Sequence, residues 1–366
     1  MPPAVSVVIP TFNSQEFLGE TLESIFRQTI APEEVVIVDD ASTDDTCAVA
    51  RTCAERAPAP VRLIRLKENT GNPAVPLNVG VERAASPLIA LMDHDDVMLP
   101  RKLEAQASCL VDDPELVLVF SDYRLFGVNC EREGMSAATL RQVAAAGRPW
   151  RGRSVIAGEA MTRLQLVNSG IIQSCSNLMF RKSVWESGAR FDPKRGVVSD
   201  YAFKLGASRQ GPVAFIPEPL FKKRVHPANL YHRDPLDRTA AHVYEVVTEV
   251  LRENPELLAD EPFRREVKSM LLARAWACRR AGRYGQSLHL YWRCLRSFGL
   301  SGSVLGPLLR FPFAVMHGLM FAKPDGPQRG NAPEFFEQPR YPVALAPRSD
   351  QAAREATVSP GLRSDA

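Results

Sequence analysis

The chain has 366 residues, 45% apolar and 24% charged, a balance that describes a folded globular protein with room for two domains and excludes a fibre. Its formal net charge of +3 is too small to argue for a nucleic-acid partner, although residues 264–310 hold ten Lys/Arg against the single acid Glu266. Seven scattered cysteines without a CxxC pair fit a reducing cytoplasmic compartment, and the opening MPPAVSVVIP has neither the basic region nor the cleavage site of a secretory signal.

Residues 5–10, VSVVIP, form a β-branched run suited to a central parallel strand, and Thr11, Phe12 and Asn13 lead from it into an amphipathic helix over 16–28. A second buried strand over 35–38 ends in Asp39 and Asp40, and Ser42 or Thr43 caps a helix over 44–57. A third strand covers 61–66. The turn cluster 69–73 then precedes a helix carrying Asn78 and Gly80.

Residues 88–100, LIALMDHDDVMLP, read as a fourth buried strand that delivers Asp93, Asp95 and Asp96 at its C-terminal end. In open α/β sheets those strand ends line the ligand crevice, so the loops with Thr11 to Asn13, Asp39 and Asp40, and Asp93 to Asp96 meet at one sheet edge. Clustered carboxylates repel one another unless a cation lies between them. Mg2+ held by one or two carboxylates and substrate phosphates is a natural partner, with a solvated Asp-rich turn as the alternative. A calcium loop fits less well, since Glu104 falls at the twelfth position from Asp93 but Val97 and Met98 stand where a fifth-position ligand and the turn glycine belong. With no GxGxxG after the first strand and no GxxxxGK[ST], the dinucleotide and P-loop readings lose their support.

Further strands are expected over 117–123, 171–180, 213–216 and 219–225, the last closed by His226, while 126–160 shows no clear period. A helix over 198–208 carries Asp200 in its first turn, where an acid also complements the helix dipole. Residues 236–300 are helical, with an Ala-Gly-Arg-Tyr-Gly hinge like a single helical-repeat turn. Residues 304–322 are apolar but broken by Arg310, His317 and two prolines, which suits an interfacial segment better than a span. From 323 onward the chain is rich in Pro, Arg, Ser and Ala, and disorder is expected.

The ordered set VSVVIPTFN (5–13), VVIVDDASTDDT (35–46), NTGNPAVPLNVG (69–80), LMDHDDVMLP (91–100), NLMFRKSVWESGARFD (177–192), SDYAFKL (199–205) and PEPLFKKRVH (217–226) resembles the family 2 nucleotide-sugar glycosyltransferases. The resemblance implies an α/β GT-A fold, a Rossmann-like and mostly parallel sheet flanked by helices, here with a C-terminal helical extension. It divides the chain into a nucleotide-sugar-binding half (1–125), an acceptor-binding and catalytic half (126–230), a helical extension (231–322) and a tail (323–366). Carried over by position, Pro10, Thr11 and Phe12 border the base, and Asp39 and Asp40 bind base or ribose. Asn78 lies in the nucleotide pocket. Asp93 and Asp95 hold Mg2+ or Mn2+ together with the donor, supported by Asp96. His226 lies near the diphosphate, and Asp200 is the catalytic base. Ser199 stands where the family usually has Glu, and Pro76-Leu77 stands where a small and a basic residue commonly precede Asn78.

The reaction so implied is non-processive, inverting transfer from a nucleoside diphosphate sugar, a UDP-sugar being favoured, to a saccharide or lipid-linked acceptor. The QxxRW element of processive synthases is missing. Cell-surface polysaccharide or glycolipid synthesis is the expected setting. Peripheral contact with the inner membrane face through the basic C-terminal helices is a further expectation. Two other readings are a catalytically inactive nucleotide-sugar-binding or partner-binding module, and a sugar nucleotidyltransferase. The last needs a Gly-rich loop where Pro10 to Asn13 stand.

Overall fold

The computed structural model describes residues 3–127, 130–229, 236–280 and 282–299. The expected interfacial segment 304–322 and the expected tail from 323 lie outside the described residues.

Four parallel strands, β1 (Val5–Thr11), β2 (Glu34–Asp39), β3 (Val61–Arg65) and β4 (Leu88–Leu91), stand in the order β3-β2-β1-β4. β1, β2 and β4 are buried at every position because helices cover both faces. On one face Val8, Val36, Val38, Ile89 and Leu91 pack against Ala74, Leu77 and Val81 of α3 (Ala74–Arg83). On the other, Val7, Ile9, Val35 and Ile37 meet α1 (Leu18–Phe26), α2 (Thr46–Ala54) and α4 (Lys102–Asp112). α3 comes so close to β1 that a Cβ on Gly80 would fall 2.3 Å from Val8 Cγ1. Only glycine fits there.

Beyond β4 the sheet continues through β10 (Met179–Arg181), β6 (Leu118–Gly127), β11 (Val213–Val225) and the hairpin β8 (Gly147–Trp150) and β9 (Arg153–Ile156). β5 (Val97–Met98) pairs with β11, and β7 (Cys130–Glu133) pairs with β6. β10 is antiparallel to both β4 and β6, and β11 is parallel to β6. The ends of β6 and β11 therefore open at the same edge as those of β1, β2 and β4.

Several expectations are corrected. The segment 126–160 holds β7, α5 (Ala137–Ala146), β8 and β9, and α6 (Gly158–Val167) begins within it. The β8–β9 turn has Arg151 and Gly152 at φ +49° and +76°, the left-handed pair that a two-residue hairpin loop requires, with Arg in place of the usual Asn or Asp signal. Of 171–180 only Met179 and Phe180 are strand, the start of β10. Ser174 at φ +62° and a 3-10 turn at Cys175–Asn177 bend the remainder toward the acidic loop. The two strands expected over 213–225 are one, with register shifts around Pro219. A boundary at 125/126 falls inside β6, so both expected halves share one sheet.

α7 (Lys182–Glu186) and α8 (Ser199–Ser208) follow β10. α8 has two buried sides. Phe203 and Ala207 join the sheet core, while Tyr201 and Leu205 pack with Val243, Tyr244 and Val247 of α9 (Leu236–Glu253). That second core continues into α10 (Glu261–Arg280) through Leu271 and into α11 (Tyr284–Phe298) through Leu290 and Tyr291. The helical extension is thus built onto the helix that carries Asp200.

Candidate active site

The register of β1 on β2 sets Thr11 opposite Asp39, and the next residues of each strand turn away from the sheet together. Asp39 is fully buried. It accepts hydrogen bonds from Ser42 N–H at 3.1 Å, from the Ser42 hydroxyl and from the Thr11 hydroxyl at 3.4 Å, with Arg65 at 3.6 Å. Pro10 lies buried at the end of β1, and Phe12 is exposed at the rim. Asp40 accepts from the Thr70 N–H at 3.0 and 3.1 Å and from the Thr70 hydroxyl at 3.0 Å, so it holds the loop before α3.

Asn78 serves a similar tie. Its Oδ1 accepts from Trp185 Nε1 at 2.9 Å and from Phe191 N–H at 3.2 Å, and its Nδ2 donates to the Phe191 carbonyl at 2.6 Å. Three of the four hydrogen bonds an amide can form are internal. These bonds join α3 to the segment that leads to α8.

After β4 the chain turns, and each of the three acids meets a different set of partners. Asp93 Oδ2 accepts from the Ser174 hydroxyl at 2.5 Å. Asp95 Oδ2 lies 2.9 Å from His226 Nε2 and accepts from Asn229 Nδ2 at 3.1 Å. Asp96 uses both oxygens, accepting Arg224 N–H at 2.8 Å on Oδ1 and the Ser176 hydroxyl at 2.6 Å on Oδ2. The Arg224 guanidinium lies between the rings of Phe17 and Phe126, 4.8 and 4.3 Å from their centroids, and donates to the Asp95 carbonyl at 2.8 Å. Burial pushes the Asp93 carboxyl above the usual carboxylate value, and the charge of Asp95 adds to it. Burial and the charges of Asp95 and Asp93 push Asp96 well above it. Burial also acts to raise Asp95, but the His226 hydrogen bond and the charges of His94, His226 and Lys223 outweigh it and hold Asp95 low.

That mutual repulsion is what a divalent cation relieves. Asp93 and Asp95 each keep Oδ1 without a hydrogen bond among the described residues, and two carboxylates completed by phosphate oxygens suffice for Mg2+. No group of three or more His, Cys, Asp or Glu side chains is placed to hold a metal among the described residues, so a cation on Asp93 and Asp95 would need further oxygen ligands. Asp96, occupied on both oxygens, supports the loop.

Asp200 is the second residue of α8. Its Oδ1 accepts the Tyr201 N–H at 2.7 Å, and its Oδ2 pairs at 2.6 Å with Lys204, whose buried ammonium also donates to the Ile172 carbonyl at 2.9 Å. Ile172 and Ser174 lie on one bent segment, which therefore touches Lys204 at one end and Asp93 at the other. Burial pushes the Cys175 thiol in this segment well up, and the charges of Asp93 and Asp200 both add to the shift. The acidic loop and Asp200 thus flank the same three or four residues. Sequence reasoning missed Ser174, Ser176, Lys204 and Asn229. The polar break in IIQSCSNLMF was the visible signal for the two serines.

The family model for glycosyl transferase family 2 matches residues 6–188, which takes in every strand end described here except that of β11. The chain belongs to glycosyl transferase family 2. Among relatives of this family 2 chain, an uncharacterized glycosyltransferase of a Nostoc species is 28% identical over 228 residues, 62% of this chain and 66% of that protein. The poly(ribitol-phosphate) beta-N-acetylglucosaminyltransferase TarP of Staphylococcus aureus is 35% identical over 102 residues, 27% of this chain and 31% of that one. The chain therefore spans less than two thirds of the length of these curated relatives. In fold it is similar to S. aureus TarS 1–349 in complex with UDP-GlcNAc, with TM-score 0.62 and 18% identity over 86% of this chain and 88% of that one. It is also similar to the mannosyltransferase PcManGT of Pyrobaculum calidifontis in complex with GDP-Man and Mn2+, with TM-score 0.52 and 19% identity over 88% and 89%. The family 2 chain has the GT-A fold.

Proposed function

We propose that this glycosyltransferase moves one sugar from a nucleoside diphosphate donor, a UDP-sugar first among the candidates, to an acceptor hydroxyl with inversion, in the synthesis of a surface polysaccharide or glycolipid. The observation that carries the reading is the convergence at one sheet edge of a buried acid for the nucleoside, two metal-suited carboxylates and a helix-borne acid. A relative named as a poly(ribitol-phosphate) beta-N-acetylglucosaminyltransferase and structural neighbours in complex with UDP-GlcNAc or GDP-Man support it.

In this mechanism Asp39 orients base or ribose, with Thr11 and Phe12 at the rim. Asp93 and Asp95 hold Mg2+ or Mn2+, which when bound acts as a Lewis acid on the diphosphate. His226 keeps Asp95 turned so that Oδ1 faces the crevice. Asp200 takes the proton of the attacking hydroxyl, and Lys204 fixes its rotamer. The new bond forms on the face opposite the departing diphosphate, so the anomeric configuration inverts.

No helix among the described residues is long and apolar enough to cross a membrane. Exposed Trp276, Leu288 and Trp292 on the basic α10–α11 pair support a peripheral, cytoplasmic-face contact with anionic lipid. Flotation with anionic vesicles at low and high salt tests that contact. A donor screen following nucleoside diphosphate release with Mg2+ or Mn2+ tests the reaction, and no release from any donor would leave the inactive binding module as the better reading.

A further inference from the structure

A lysine unremarked in the sequence lies at the centre of this edge. Lys223 is in β11 opposite Leu125 of β6, and the N–H of the next residue, Arg224, donates to Asp96 Oδ1 at 2.8 Å. Side chains alternate along a strand. Leu220 packs with the α1 and α4 side of the sheet, and Arg224 stacks on Phe17 beside α1. Phe221 belongs to the opposite face, in the core that holds Cys175 and Phe203 of α8. Lys223 shares the parity of Phe221 and of Val225, which also packs against that core, and so stands on the α8 face. The electrostatics agree, since the positive charge of Lys223 acts on Asp93, Asp95, Asp96 and Cys175. Each cation at this edge has partners within the chain, Lys223 included. Lys204 is held by Asp200 and the Ile172 carbonyl, and Arg224 by two rings, Glu20 and the Asp95 carbonyl. Leu77, next to Asn78, is sealed in the core and contributes no charge.

We propose that the Lys223 ammonium contacts the donor diphosphate and stabilises the charge that gathers on it as the sugar leaves. The proposal rests on the transferase reading. The acceptor oxygen forms the new bond to the anomeric carbon, and its proton passes to Asp200. The old bond between that carbon and the terminal phosphate oxygen breaks, and its electron pair stays on that oxygen. The product nucleoside diphosphate therefore carries one more negative charge than the diphosphate had in the donor. A fixed cation there favours transition state and product over bound donor.

The test uses the full chain and its Lys223→Met and Lys223→Arg variants, with UDP titrated calorimetrically in Mg2+ and kcat and KM measured with whichever donor wild type accepts. In Lys223→Met, kcat falls about a hundredfold and UDP affinity about tenfold, while donor KM rises less than about threefold. Lys223→Arg retains kcat within about tenfold of wild type, because a cation is kept. Unchanged kcat and UDP affinity in Lys223→Met overturn the proposal. Equal losses in both variants with a lowered melting temperature also overturn it, since they show packing instead of charge. If wild type binds UDP yet turns over no donor, the transferase reading fails, and the UDP affinities alone still decide whether Lys223 meets a diphosphate.

Discussion

His226 Nε2 lies 2.9 Å from Asp95 Oδ2, which joins the end of β11 to the loop after β4. Phe17 packs on the His226 ring with centroids 4.7 Å apart, so the imidazole has little freedom to swing away.

Asp95→Asn keeps the shape of the side chain and removes the charge that a metal needs. Turnover is expected to fall about a hundredfold or more, on the order of 3 kcal/mol of transition-state stabilisation. Excess chelator should silence wild type, and added Mn2+ or Mg2+ should restore it. Full activity in chelator would remove the metal from the mechanism.

Asp200→Asn is expected to lower kcat by about 10²–10⁴-fold with UDP affinity unchanged, because a general base acts in the chemical step and not in nucleotide binding. Lys204 keeps the Ile172 carbonyl as a partner in this variant. Steady-state kinetics beside calorimetry separate the two effects, and a variant with wild-type turnover would exclude Asp200 as the base.

Asp39→Ala removes the acceptor for the Ser42 N–H and hydroxyl as well as the proposed nucleoside contact. Donor KM and UDP affinity should weaken together, with kcat changed less, and stability should drop by about 1–3 kcal/mol for the unpaired buried donors. A collapse of kcat at unchanged UDP affinity would contradict the assignment.

Lys102 is fully buried with no hydrogen-bond partner for its ammonium, and burial pulls its pKa down to about 7 from 10.5. Between those values the unfolded chain binds a proton that the folded protein does not. Stability therefore rises with pH through that window, and the cost is full below it. Lys102→Met should stabilise the protein at neutral pH, by on the order of 2 kcal/mol, and flatten the rise in melting temperature toward alkaline pH. Equal melting curves for both proteins across that range would contradict the unpaired buried charge.

Ending the chain after 229 strips Tyr201 and Leu205 of α8 and Leu166 of α6 of the core they share with α9, α10 and α11. The salt bridges of Arg195 to Glu245 at 3.1 Å and to Glu249, just ahead of α8, go with it. Three large apolar side chains newly exposed at about 1.5–3 kcal/mol each are a large share of a domain's net stability. The truncated chain should lose its cooperative melting transition. A sharp transition at an unchanged temperature would instead make the helices an independent appendage.

Much of the donor half was legible because its signals are local. β-Branched runs at residues 5–10 and 35–38 and the apolar run ending in Asp93 predict buried strands, and acids just past their ends predict a polar sheet edge. Local patterns failed where conformation answers to distant partners. Residues 171–178 have the composition of a strand, yet Ser174 and Ser176 bend them to reach Asp93 and Asp96, roughly eighty positions earlier in the chain. Asp39 and Asp40 look alike in sequence. Register and loop packing give one a hydroxyl-lined niche at the end of β2 and the other the task of holding Thr70.

The sequence by itself determined the fold class and the set of acids at one end of the sheet, since hydrophobic periodicity and strand-end carboxylates are properties of neighbouring residues, and its ordered motifs carried the family resemblance. Tertiary structure decided what each acid is free to do. It ties Asn78 to Trp185 and Phe191, occupies both oxygens of Asp96, and brings Lys223 to the face where Cys175 and α8 lie. Hydrogen bonds and charges between residues far apart in the chain depend on strand register and on which face a side chain takes, and neither is encoded by the residues immediately around them.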